Sequence, residues 1–136
     1  MYRITMKNKA GFTLTEIMVS SLILLSTSVA FTAGMLGALR THQMSSDYYL
    51  ATCIARNRIQ RARSIDFFTL PQMVENQRRV DEMGNGSTSG TFRRTTTVND
   101  VTGNQVEVIV QVYFPAGRKV LSDEPIEVRT KITNGM

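Results

Sequence analysis

Glu16 is the residue in this chain whose position demands a chemical explanation. It stands at the mouth of an apolar run, and no Asp, Glu, Lys or Arg occurs from Ile17 to Leu39. A carboxylate inside a membrane-spanning helix costs roughly 2.5–3.5 kcal/mol on insertion scales, so an acid kept there calls for a cationic partner. The other reactive side chains are scattered. His42 is the single histidine and Cys53 the single cysteine. They supply neither a metal site nor a nucleophile–base pair, and no internal disulfide can form. The segment Gly84-Asn85-Gly86-Ser87-Thr88-Ser89-Gly90 is glycine-rich, but it lacks the lysine and the strand–helix setting of a phosphate loop. Asp123 and Glu124 fall in a turn-like stretch, where solvation explains them. No catalytic constellation emerges. The chain is expected not to be an enzyme and to need no cofactor or metal.

The element that must position Glu16 is a long helix. An uncharged apolar run of 18 or more residues is a transmembrane candidate. From Phe12 to Leu39 a helix would be about 42 Å long, enough to cross a hydrocarbon core of about 30 Å. Arg3, Lys7 and Lys9 precede it with no acid among them, which predicts a cytoplasmic amino terminus. Two simpler readings stay open at this point. One is a plain membrane anchor. The other is a secretory signal cut near Ala30 or Ala33, although the apolar run exceeds the 7–15 residues typical of such signals.

The stretch Lys7-Asn8-Lys9-Ala10-Gly11-Phe12-Thr13-Leu14-Thr15-Glu16, with the apolar residues behind it, resembles the N-terminus of type IV pilin-like proteins, the family of pilins, minor pilins and pseudopilins. The resemblance covers about residues 6–40. It implies cleavage after Gly11 by a prepilin peptidase that also methylates the new Phe12 amine. It also implies that Glu16, fifth in the mature chain, is an assembly contact. A Phe12 amine on a neighbouring subunit would lie opposite Glu16 in a water-poor filament core, where an unpaired charge is penalised by several kcal/mol. A pair within one chain and a carboxylate reaching to the headgroups remain the alternatives. Either Met1 or Met6 could be the start. Many major pilins carry a proline where this chain has Ala33, and many close a C-terminal loop with a disulfide. Both differences point to a minor pilin or minor pseudopilin.

The partners implied are the prepilin peptidase/methyltransferase, other pilin-like subunits, an inner-membrane assembly platform and the membrane itself, crossed once. The location implied is the bacterial inner membrane, with the C-terminal domain extracytoplasmic, and then a pilus or pseudopilus. The function expected is a minor type IV pilin-like subunit that joins or initiates a filament. The alternatives are a minor pseudopilin of type II secretion and a pilus-associated subunit for DNA uptake or adhesion.

Composition fits one anchor and one small domain in 136 residues. The net charge of +5 would suggest nucleic acid, but Arg3, Lys7 and Lys9 carry much of it, and no nucleic-acid partner is expected. The fold class predicted is α+β: a long N-terminal helix, half transmembrane and half amphipathic, packed on a small antiparallel sheet of three strands. Residues 1–11 form the leader, 12–39 the transmembrane and assembly helix, 40–70 its amphipathic continuation, 71–91 a loop region and 92–136 the sheet.

Met44, Tyr48, Ala51, Ala55, Ile59 and Ala62 recur at helical spacing and predict a seam against that sheet. Arg56, Arg58, Arg61 and Arg63 are then expected on a solvated face. The helix should run to about Phe68, ahead of Pro71. Strands are predicted over Phe92–Val98, over Val106–Phe114 with its strict alternation of valines, and over Pro125–Thr133. The breaks between them are expected at residues 99–104 and 115–119. The small residues Ala30, Gly34, Gly37 and Ala38 form a patch that could admit a second helix closely.

Overall fold

The structure, a computed structural model, describes residues 11–117 and 120–134. The basic residues assigned to the leader, and the choice between Met1 and Met6, lie outside the described residues. The chain divides into two compact units, Met1–Arg40 and Thr41–Met136. The boundary falls within one helix, α1, which spans Leu14–Ser64.

In the N-terminal unit every large apolar side chain from Phe12 to Leu39 is exposed. Among the described residues of this unit nothing covers them. The hydroxyls among them are satisfied by the helix itself. Ser21 donates to the Met18 carbonyl, Ser26 and Thr27 to that of Ile23, Ser28 to that of Leu24 and Thr32 to that of Ser28, all at 2.9 Å or less. Polar groups closed on their own backbone can sit in hydrocarbon without an orphaned donor.

The C-terminal unit holds the core. Here α1 buries Ala51, Ile54, Ala55, Ile59 and Ala62, largely the predicted seam. Small alanines on that face let the helix lie close to the strands. Met44 and Tyr48, also assigned to the seam, are exposed, although the Tyr48 ring meets Phe114 edge-on at 5.8 Å. The seam begins near Leu50, and Ile54 is its largest contributor. Helix α1 ends at Ser64, short of the predicted Phe68, with Arg61 and Arg63 in its last turn, where cations suit the helix dipole. A 3-10 helix at Phe67–Met73 follows. Pro71 lies inside it rather than marking a bare stop, and Leu70 and Met73 turn into the core.

The main sheet has four strands, not three. Strand β1 (Glu75–Val80) falls in the stretch predicted as loop, and is followed by β2 (Phe92–Thr102), β3 (Gln105–Tyr113) and, after a small hairpin of β4 (Pro115–Gly117) and β5 (Val120–Leu121), by β6 (Ile126–Thr133). The order is β1-β2-β3-β6, all neighbours antiparallel. Strand β1 escapes a pattern search because Glu-Asn-Gln-Arg-Arg-Val has one buried residue, Val80. It pairs through backbone register, Val80 opposite Phe92, and carries a bulge at Gln77, whose φ is 45°. A close approach secures the β1–β2 turn: a Cβ on Gly90 would sit 2.3 Å from the Val80 carbonyl oxygen.

Strand β2 extends into the predicted break at residues 99–104 as far as Thr102, because Asn99 and Asp100 keep pairing with Glu107 and Val106, and leaves Gly103 and Asn104 as the turn. The alternation in β3 holds as read: Val106, Val108, Val110, Val112 and Phe114 are all buried. Ile126, Val128 and Ile132 of β6 pack on the rim of the same core.

Candidate assembly site

Gly11, Phe12 and Thr13 precede α1 in non-helical backbone, and Thr13 caps it. The amide of Glu16 donates to Thr13 Oγ1 at 3.3 Å and to the Thr13 carbonyl at 3.1 Å. Thr13 and Glu16 therefore stand at the two ends of a Thr-x-x-Glu capping box, a helix-start signal that sequence reasoning passed over. It supplies a structural reason for an acid here, since a carboxylate in the first turn suits the positive end of the helix dipole. The box is only half closed. Among the described residues the Glu16 carboxylate itself makes no hydrogen bond and no ion pair. Its side chain is exposed, as are Gly11 and Phe12.

The described residues place no steric demand on Gly11. A Cβ there would meet nothing within 4 Å. The same is true of Gly34 and Gly37 in the small-residue patch.

A second charged constellation lies wholly in the C-terminal unit. Its centre is Glu75, the first residue of β1, with a side chain 11% exposed. Glu75 Oε2 accepts from Arg94 Nε at 3.0 Å and Nη2 at 2.8 Å, a bidentate fork. Arg78 Nη1 lies 2.8 Å from Oε1 and Arg58 Nη2 3.1 Å from it. Arg94 points inward from β2 and also donates to the Gly84 carbonyl at 2.8 Å. Gly84 presents that carbonyl with φ at 80°, a conformation that favours glycine. Arg58 donates to the Met73 carbonyl as well, at 3.0 Å.

Burial alone would raise the Glu75 carboxyl. The Arg94 hydrogen bond and charge, joined by Arg58 and Arg78, outweigh it and hold Glu75 below the usual carboxylate range. Burial, with the nearby charge of Arg94, pushes the Arg58 guanidinium down, against the pull of Glu75.

The arginine face predicted to be solvated is thus divided. Arg56, Arg61 and Arg63 are exposed, as predicted. Arg58 belongs to the Glu75 cluster, and Arg63 Nη2 donates to the buried Thr130 hydroxyl of β6 at 2.7 Å. Helical spacing cannot reveal this, because the partners are remote in sequence. The one available signal was the alternation of β2, which sets Arg94 on the same face as Phe92 and Thr96. His42, Asp123 and Glu124 are exposed and Cys53 is half-buried. Among the described residues no three His, Cys, Asp or Glu side chains gather into a metal-binding group.

Comparison with known families matches residues 6–32 to the prokaryotic N-terminal methylation motif. The matched stretch includes Gly11, Phe12 and Glu16, and behind it α1 is long and apolar enough to cross a membrane, with a mean hydropathy of 1.9 in its most apolar window. No curated protein and no solved structure matches the chain. The motif marks structural subunits rather than enzymes.

Proposed function

We propose that this chain, type IV pilin-like by its methylation motif and the long apolar helix that follows, is a minor subunit that joins or initiates a type IV pilus filament through that helix. The prepilin peptidase cuts after Gly11 and methylates the Phe12 amine. The precursor sits in the inner membrane with its amino terminus cytoplasmic and residues beyond about 40 outside. The carboxylate of Glu16 then pairs with the Phe12 amine of a neighbouring subunit, drawing the incoming helix into register.

The observation that carries this reading is the exposed Glu16 carboxylate, without an ion pair among the described residues, at the head of a helix whose apolar surface is left exposed. In hydrocarbon or in a filament core such a charge is tolerable only when compensated, and the freed amine is the nearest cation that processing creates. Ala33, where many major pilins have proline, and the lone Cys53 favour a minor subunit.

A minor pseudopilin of type II secretion would use the same helix. Pilus imaging and a secretion assay in a deletion strain separate the two: loss of filaments supports the pilus subunit, and loss of secretion alone supports the pseudopilin. The processing step is tested by mass spectrometry of the N-terminus from cells with and without the peptidase. A terminus at Phe12, one methyl heavier than the plain peptide, is expected only with the enzyme present. A terminus near Ala30 or Ala33 would instead mark a secretory signal.

A further inference from the structure

The arginines around Glu75 outnumber the carboxylates that serve them. Arg58, Arg78 and Arg94 all converge on that one acid, and Arg61, one helical turn from Arg58, has no ion-pair partner among the described residues. Neither neighbouring acid relieves the excess. Asp81 Oδ1 is occupied in a turn, accepting the amides of Met83 at 3.0 Å and Asn85 at 2.8 Å. The charge of Glu82 is felt instead at Asp47, whose carboxyl is raised by burial and then by Glu82.

Arg58 and Arg94 have side chains only 10% and 6% exposed, and the buried Arg58 Nε–H finds no acceptor among the described residues. Buried cations left short of acceptors are costly, so the site favours one more anion.

A cleft opens over this cluster. It holds about 220 Å³ and is lined by Arg58, Arg61 and Arg94, by the polar Asn57 and Asn85, and by Ile54 and Met83 on its apolar side. Drug-sized ligands occupy pockets of about 300–1,000 Å³, so this cleft suits a single side chain or a small anion. Guanidinium forks recognise carboxylates through paired N–H donors, and the Ile54 and Met83 side chains suit an aliphatic stem.

We propose that this cleft is a docking site for an acidic side chain, Asp or Glu, presented by a neighbouring subunit. The choice of a subunit as the source rests on the filament reading above. The carboxylate seats between Arg61 and the Arg58–Arg94 pair, and its stem lies along Ile54 and Met83. The contact belongs to the C-terminal unit and is separate from the pairing of Glu16.

The test is a titration of the uncut full chain, labelled at arginine with nitrogen-15, in nonionic detergent micelles. The probes are a short peptide carrying an adjacent Asp-Glu pair, its Asn-Gln counterpart and inorganic phosphate. The acidic peptide should shift the Nε–H signals of Arg58 and Arg94 saturably, and the shift should weaken with salt. Arg61→Ala should lower affinity roughly tenfold, the loss expected for one charge-assisted hydrogen bond. Arg56→Ala, outside the cleft, should leave it unchanged. Because Arg61 is exposed and unpaired among the described residues, its replacement does not threaten folding.

Equal response to the neutral peptide, indifference to Arg61→Ala, or stronger binding of phosphate than of the acidic peptide would each overturn the proposal. The titration needs neither processing nor a filament. It therefore fails or succeeds independently of the N-terminal assignment, which the mass of the processed terminus decides.

Discussion

Two glutamates summarise the difference between the halves of this protein. Glu75, in the C-terminal unit, is held by three arginines of its own chain. Glu16, in the N-terminal unit, holds none among the described residues. The apolar side chains divide in the same way. The C-terminal unit gathers its valines, Phe92 and Ile54 into one core, whereas the apolar residues from Phe12 to Leu39 stay exposed. One half satisfies itself by folding. The other leaves its apolar side chains and the Glu16 carboxylate exposed, and in the proposed reading their partners are a membrane and another subunit. A large exposed apolar surface on a soluble protein would be an aggregation hazard. In the proposed reading it is the surface that enters the membrane and the filament.

This contrast can be broken by mutation, and the largest effects fall in the C-terminal unit. Glu75→Ala strips the carboxylate from buried guanidiniums and should cost about 3–5 kcal/mol, the range for breaking a buried pair, read by chemical denaturation of the full chain in detergent. The same acid sets a pH dependence. Its folded pKa lies below the ordinary value, so its contribution is complete above the unfolded pKa and is lost as pH falls through the folded one. Acid unfolding that ignores Glu75→Gln would contradict this. Leu70→Ala, at a fully buried position, should cost about 2–5 kcal/mol by the same measurement.

Smaller effects sharpen the comparison at the N-terminal end. Thr13→Ala removes the cap on the Glu16 amide and should cost about 0.5–2 kcal/mol of local helix stability, seen as faster amide exchange in the first turn and no change in the C-terminal unit. Gly11→Val should alter folding by less than about 0.5 kcal/mol, since a Cβ there meets nothing within 4 Å among the described residues. It should nonetheless prevent cleavage. A Phe12 terminus on that variant would refute the cleavage assignment.

How much of this was legible in the sequence follows the same division. The N-terminal unit was readable because its signals are local: a short motif, an uncharged run, and a helix whose hydroxyls bond within a turn. Even there the Thr13-x-x-Glu16 capping box is masked, because a single acid at the mouth of an apolar run fits a helix-start role and an intermolecular one equally well. In the C-terminal unit the valines of β3 were legible because burial on one face imposes a period of two. Strand β1 was not, since its place depends on pairing with β2 and on the salt bridges of Glu75. On the arginine face only Arg58 was misread, for the same reason: it looks solvated until a strand remote in sequence supplies Glu75, whereas Arg56, Arg61 and Arg63 are exposed as expected.

The central claim is that Glu16 awaits a partner outside its own chain, and Glu16→Leu tests it most directly. The variant should be inserted in the membrane, cleaved after Gly11 and unchanged in the denaturation of its C-terminal unit, yet absent from purified filaments when co-expressed with the other subunits. Incorporation at the level of the unaltered chain would contradict the account.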